Sequence, residues 1–335
     1  MVHYLIRRVL FLITVLVGLT LLTFTISHLL PGDPVMLVAW PQATREEIQA
    51  LAQEYGVDQP LPVQYVRYMR NLLVGDFGRS IMTRRQVADD LRIFFPATVE
   101  LVIAALLIAI VFGIPFGVIS AEARDRWPDN LIRIFSLASI SSPRFFLALL
   151  LQILFGIIIG VLPISGRFPT LLPPPPTVTG MFTLDAALAR DWNALGTVLR
   201  HMILPAFALS LSPLATITRM MRASVLEALQ QDYVLTERAL GLPKRLILFK
   251  YVFKNAFIST LTVIGLYFGW LLSGSVLVET IFDWPGIGLY ATTSIISLDF
   301  QPIMGVTLII GVTLMLVNLT VDLLYGLFDP RIRYT

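Results

Sequence analysis

The 335-residue sequence contains no cysteine, which excludes a disulfide framework and any thiolate metal site. Its three histidines, His3, His28 and His201, are scattered around the ends of apolar runs and make a poor start for a metal or acid-base centre. Charge is scarce: 14% of residues are Asp, Glu, Lys or Arg, against about a quarter in an ordinary soluble domain. The formal net charge of +3 is small for this length and gives no reason to expect nucleic-acid binding. No G-x-x-x-x-G-K-[S/T] stretch is present, so the chain has no phosphate-cradling P-loop of its own. A G-x-S-x-G nucleophile elbow is missing as well, which leaves a membrane hydrolase with little support.

What fills the sequence is hydrophobic surface, at 56% of residues. A helix crossing a roughly 30 Å hydrocarbon core needs about 20 mostly apolar residues. Six stretches reach or approach that length: 9–30, 97–121, 131–162, 202–218, 256–278 and 302–328. The fourth is short and holds Pro205 and Pro213, which neighbouring helices can accommodate in a membrane. The expectation is an all-α integral membrane protein with six transmembrane helices. Residues 1–30 form a tip and first span, 31–96 an external helical segment, and 97–335 a core of five spans.

Basic residues set the orientation, because Lys and Arg accumulate in short cytoplasmic loops. Arg7 and Arg8 precede the first stretch, Arg124 and Arg126 separate the second from the third, and Arg331 and Arg333 follow the last. All three lysines, Lys244, Lys250 and Lys254, lie between the fourth and fifth stretches with Arg219, Arg222, Arg238 and Arg245. Residues 279–301 hold no basic residue. Both termini are therefore expected inside, with 31–96 and 163–201 outside. A signal-peptide reading of the first stretch fits less well, since its apolar run exceeds the usual 7 to 15 residues and lacks a small-residue cleavage site.

In the first outer segment, Thr44 and Glu47 form a capping box ahead of Ile48, Leu51 and Tyr55, and a second amphipathic helix is expected over 62–73. These helices either cap the span ends or dock an extracytoplasmic partner. The run Pro173, Pro174, Pro175 and Pro176 should be extended and stiff.

Residues 219–255 carry the densest signal. Leu226, Leu229, Tyr233 and Leu240 repeat at helical spacing, Gly241 suits a C-cap, and Pro243 suits the first turn of another helix. From the residues alone, this is either a basic amphipathic helix lying on anionic lipid or a rigid knob presented to a cytoplasmic protein. Asp232, Tyr233, Thr236, Arg238, Ala239, Gly241 and Leu242, followed by Asn255 and Ala256, resemble the coupling-loop signature of ABC importer permeases of the dipeptide/oligopeptide branch. Departures are Glu237 for the usual alanine, Lys254 for arginine and Ser259 for proline. The likeness extends through Pro31, Gly32, Asp33 and Pro34, through residues 279–286, and through Asn318, Asp322, Tyr325 and Asp329 to Arg331.

The resemblance implies a type I (MetI-like) permease fold in a bacterial inner membrane. It implies a heterodimer with a second permease, two cytoplasmic ABC ATPases that bind ATP and Mg, and an extracytoplasmic solute-binding protein, with no cofactor, metal or catalysis in this chain. It also implies a role for Asp232, Tyr233, Thr236, Glu237, Arg238, Ala239, Gly241 and Leu242 in ATPase coupling. Substrates in that branch include dipeptides, longer peptides, nickel complexes, glutathione and oligosaccharides. An ion-coupled carrier would instead be expected to show internal repeats and midplane charges, and an intramembrane enzyme a nucleophile-base or metal-ligand set.

Ionisable groups in spans are candidate functional groups. Glu100 and Glu279 are expected near the outer face and Asp322 near the inner face, where snorkelling or pairing suffices to explain them. Arg144 is less ordinary: it follows Ser141, Ser142 and Pro143 within the 131–162 stretch, where relatives generally carry an apolar residue. Either Arg144, with Ser141 and Ser142, lines the translocation pathway at a proline kink, or the span begins after Pro143 and Arg144 anchors at the inner surface.

Overall fold

The computed structural model describes residues 2–29 and 59–328, with side chains for 10–27 and 59–320. The capping box at Thr44 and the motif residues 31–34 and 329–331 lie outside the described residues, as does the Asp322 side chain. The described chain is helical, with a lone antiparallel bridge between Arg79 and Gln86. Five helices are long and apolar enough to cross a membrane, or six if one sharply bent pair is counted as a span.

The chain divides into two compact units, the first combining the N-terminal part up to Pro96 with Gly286–Met315 and the second containing Ala97–Pro285. In the first unit, α1 spans Val2–Leu29 and α2 Leu61–Leu73, the latter starting one residue before the expected 62–73 with a proline in its opening turn. Tyr65 and Tyr68 of α2 pack on Phe24 at centroid distances of 5.3 and 5.9 Å. Two buried carboxylates pin the loop after α2. Asp299 accepts from the Ser80 hydroxyl and from the amides of Ile81 and Met82, while Asp90 accepts from Tyr290 and lies 2.8 Å from Arg85.

Helix α3, Val87–Glu122, begins ten residues before the expected start at 97. Its opening is amphipathic rather than uniformly apolar: Val87 and Leu91 are buried against Ile287, Tyr290 and Val306, and Arg92 is exposed. Asp89 and Asp90 in its first turn complement the positive end of the helix.

In the second unit the expected span over 131–162 is sharply broken. α4 covers Trp127–Ser141 and α5 Arg144–Leu151, the latter continuing as a π-helix over Gln152–Ile158; the two halves are bent by 109°. Pro143 dictates the break, because its ring disfavours helical backbone at the preceding residue. Ser142 is accordingly extended, with ψ 136°. A short helix α6 covers Phe182–Leu188, and residues 173–177 have no regular structure.

Helix α7, Trp192–Ala228, is likewise much longer than the expected 202–218, at about 55 Å for a rise of 1.5 Å per residue. It runs through both Pro205 and Pro213 and starts where Asp191 accepts from the Ala194 amide at 2.9 Å. α3 approaches it closely through Gly113 and Gly117, spaced as a small-x-x-x-small pair. A Cβ on Gly117 would stand 2.6 Å from the Cβ of Met221 and 2.8 Å from the Thr218 carbonyl, so only glycine permits this contact. The remaining helices are α8, Asp232–Ala239; α9, Lys244–Leu246, running through a π-turn over Ile247–Val252 into α10, Phe253–Gly274; α11, Val276–Ile281; α12, Ile287–Ile296; and α13, Phe300–Phe328.

Glu100 and Glu279 are both buried. Arg167 donates to Glu100 Oε2 from Nε at 2.9 Å, Thr183 donates to Oε1 from its amide and hydroxyl, and the Arg167 guanidinium stacks 3.8 Å above the Phe182 ring. Glu279 accepts from Thr98 and Ser275, both at 2.8 Å. Nearby, burial pushes the Asp185 carboxyl up, but donors from Thr179 and Gly180 outweigh this and hold it below the usual carboxylate range.

Removing one member of the Glu100–Arg167 pair strands a buried charge, a loss of about 3–5 kcal/mol. Glu100→Gln should therefore lower the melting temperature of the detergent-solubilised protein, and Glu100→Gln combined with Arg167→Met should recover much of the loss. A double variant no more stable than Glu100→Gln alone would show that the stranded charge is not the cause.

Candidate functional site

The segment between α7 and α10 is a rigid corner built by local chemistry. Helix α8 opens with Asp232 and closes with Arg238, so each charge faces the end of the helix dipole that stabilises it. At its C-terminus the Gly241 amide donates to the Arg238 carbonyl at 3.0 Å and the Leu242 amide to the Glu237 carbonyl at 3.2 Å. This is a Schellman cap. It places Gly241 at φ +76°, a region costly for any side chain with a Cβ. Pro243 then serves as N-cap of the next helical segment, one position earlier than expected, with its carbonyl accepting from Leu246 and Ile247.

The expected stripe is corrected in two places. The chain bends at Gln230 and Gln231, so α7 and α8 are separate helices, and Leu240 is 72% exposed. Val234 is the anchor instead: it is fully buried in a cluster with Val118, Ala121, Met221, Val225, Ile247, Val252 and Ala256, against which Leu226, Leu229, Tyr233 and Leu242 pack. Asn255 donates to the Tyr233 hydroxyl at 3.1 Å, bringing together two motif residues that are 22 positions apart. Asp232, Thr236, Arg238, Ala239 and Gly241 are exposed and Glu237 is half-buried. With Leu235 and Leu240, also exposed, they form a mixed polar and apolar outer surface on a buried foundation.

Beneath this corner lies an ion pair that the sequence did not reveal. Arg222, one and a half turns before the end of α7, donates to both oxygens of Asp129 on α4, at 2.8 and 2.7 Å. The buried Ser120 hydroxyl of α3 donates to the same carboxylate, as does the Asp125 amide. One carboxylate thereby joins α3, α4 and α7. Arg222 reads in sequence as one more cytoplasmic charge, and its partner stands 93 residues away, so no local signal connects them.

Arg144 lies elsewhere. It is the first residue of α5, half-buried, and its guanidinium packs on Gly274, the last residue of α10. Ser141 ends α4 and is exposed, and Ser142 occupies the break. Because α10 starts at Phe253 beside the corner, Gly274 is about 30 Å along the helix from it. The structure therefore does not bring Arg144 and the serines together with the corner residues, and a full helix, α4, precedes Arg144. A helix does begin at Arg144, directly after Pro143, as the second of the two sequence readings expects.

Comparison with known proteins gives a consistent answer over the whole length. Residues 113–334 match the family described as "Binding-protein-dependent transport system inner membrane component", and residues 1–104 match its N-terminal companion family. The chain is 46% identical over 321 residues to the "Probable D,D-dipeptide transport system permease protein" of Escherichia coli (strain K12), covering 96% of this chain and 94% of that protein. It is 40% identical to the "Dipeptide transport system permease protein" of Alkalihalophilus pseudofirmus, with both chains covered in full. It is 36% identical to the "Glutathione transport system permease protein" of Escherichia coli (strain K12), again with full coverage of both.

The cap makes a specific demand on residue 241. Gly241→Val should strain the corner by about 1–2 kcal/mol, leaving membrane insertion intact while ATP-driven uptake falls well below that of Gly241→Asn, since Asn tolerates positive φ. The measurement is uptake into proteoliposomes per inserted complex; wild-type uptake by Gly241→Val would remove the corner's geometry from the mechanism.

Proposed function

Starting from the fact that this chain belongs to the binding-protein-dependent transport system inner membrane component family, we propose how it works as the permease subunit of a peptide importer. It is a multi-pass membrane protein that carries substrate rather than transforming it. The relatives' names include D,D-dipeptide, dipeptide, di/tripeptide and glutathione systems, and all of these substrates are short peptides or peptide-like molecules. Dipeptides or oligopeptides are the substrate class of this reading.

The observation that carries the mechanism is the Gly241-capped corner with Val234 buried beneath it. In our reading, two cytoplasmic ATPase subunits bind ATP and Mg, and one of them seats the outer surface of α8, which offers Leu235, Arg238 and Leu240. Closure of the ATPase pair displaces α8. A flexible loop would absorb that displacement, whereas a doubly hydrogen-bonded cap passes it through the cluster around Val234 to α3, α7 and α10. The Asp129–Arg222 pair extends the moving body to α4. A second permease subunit completes the pathway as a heterodimer, and an extracytoplasmic binding protein delivers substrate. Both termini and residues 219–255 then face the cytoplasm, and residues 31–96 and 163–201 face outward.

Reporter fusions check the topology: fusions after Arg124, after Gln230 and at Thr335 should read cytoplasmic, and those at Asp58 and Thr177 external. A reversal at Gln230 would remove the coupling mechanism. Uptake of labelled dialanine by vesicles holding the complete importer should require both ATP and the binding protein. Accumulation by this chain reconstituted alone would favour an ion-coupled carrier instead.

A further inference from the structure

The second unit contains three arginines in partly or fully buried surroundings, and they differ in one respect. Arg167 is fastened to Glu100 and Arg222 to Asp129. Arg144 has no ion pair and no hydrogen bond among the described residues. A guanidinium in an apolar span is costly unless it faces water, a partner or a substrate.

The surroundings of Arg144 explain how it is retained without being neutralised. Two helix breaks coincide there: the Ser142–Pro143 break between α4 and α5, and the end of α10 at Gly274, ahead of α11. The last carbonyls of α10 carry partial negative charge. This attracts a cation but does not cancel it as a carboxylate would. Gly274 is what admits the guanidinium, since a Cβ there would overlap its Nη1 atom. The five N–H donors of Arg144 thus have capacity for an anion, on a side chain that follows Ser141 and Ser142 in the chain by three and two residues.

We propose that Arg144 is a specificity-determining residue of the translocation pathway, where its guanidinium receives the free terminal carboxylate of the peptide in passage. The proposal rests on the peptide-import reading. A carboxylate matches the planar fork of arginine in a bidentate pair, and it is the group shared by peptides of every side-chain composition. Recognition at this point would select for a free C-terminus while leaving the side chains unread. Ser141 and Ser142 supply further donors as the carboxylate moves past the break.

The test uses the complete importer in proteoliposomes, with ATP inside and binding protein saturated with L-alanyl-L-alanine or with its C-terminal amide. Wild type, Arg144→Gln and Arg144→Lys are compared for uptake of each peptide, with ATP hydrolysis by the assembled complex as the control for folding. Arg144→Gln should slow uptake of the free acid about tenfold, the loss of roughly one charge-assisted hydrogen bond, while leaving the amide unchanged; Arg144→Lys should fall between. Equal uptake of both peptides in all three proteins would overturn the proposal. So would an equal loss for acid and amide, which is the signature of a packing role at Gly274. If wild type imports neither peptide while hydrolysing ATP, the peptide-import reading fails and the proposal with it, a result distinct from either of the others.

Discussion

Inside hydrocarbon every backbone amide and carbonyl must find its partner within the protein, and this constraint governs where the chain is allowed to stop being helical. The stretch that leaves the π-helix shows the same accounting at the end of a helix. Residues 159–168 leave the helix, yet the Phe155 carbonyl accepts from Val161 and Leu162. Three side chains from two elements serve the freed carbonyls: Gln152 donates to Ile164, and on α7 Arg200 donates to Val161 and His201 lies 3.3 and 3.2 Å from the carbonyls of Ser165 and Gly166. His201 thus has a structural task that requires no metal. The same logic permits Pro205 and Pro213 inside α7, the most deeply packed of the membrane-length helices, where neighbours surround the disturbed backbone.

The existence of the spans was legible because uniform hydrophobicity over 20 residues is a one-dimensional signal. Their ends were not. α3 begins at Val87 because Val87 and Leu91 alternate with charged residues on an amphipathic turn, and a search for apolar runs discards that pattern. α7 extends ten residues further at each end for the same reason: Trp192 to His201 and Arg219 to Ala228 are helical but polar on one face. In the third stretch, Pro143 indicated a kink, but its size depends on how α5 packs on α7 and α11, which are contacts between elements distant in sequence.

The corner and the ion pairs mark opposite ends of legibility. A Schellman cap is made by residues 237–242 alone, so Gly241 announces itself to anyone reading for a left-handed position. The anchor beneath it does not, because Val234 is one apolar residue among many until the helices that bury it are in place. Glu100 with Arg167 and Asp129 with Arg222 are separated by 67 and 93 residues. Their charges are visible in the sequence, but pairing is a property of the fold. Reading Arg222 as an ordinary loop charge missed its pairing with Asp129.

Under the proposed function, these pairs and the unpaired Arg144 fit one mechanical scheme. A transporter of this kind needs parts that move together and places where they part. Asp129, on α4, accepts from α3 and α7 at once, so any displacement that separated those helices would strand a buried carboxylate. The glycine contact of Gly113 and Gly117 on α7 allows no slack either, since the backbones already touch. In the proposed mechanism the corner therefore drives a stiff body. The compliant points lie at the other end of that body, at the Ser142–Pro143 break and at the junction of α10 with α11, where no intrahelical ladder continues across the gap. Arg144 stands between those two breaks, held by packing on Gly274 rather than by an ion pair, so a change in either break alters what the guanidinium faces. Rigid, paired charge near the corner and unfastened charge at the breaks are the distribution expected of a chain in which force enters at one end and substrate is handled at the other.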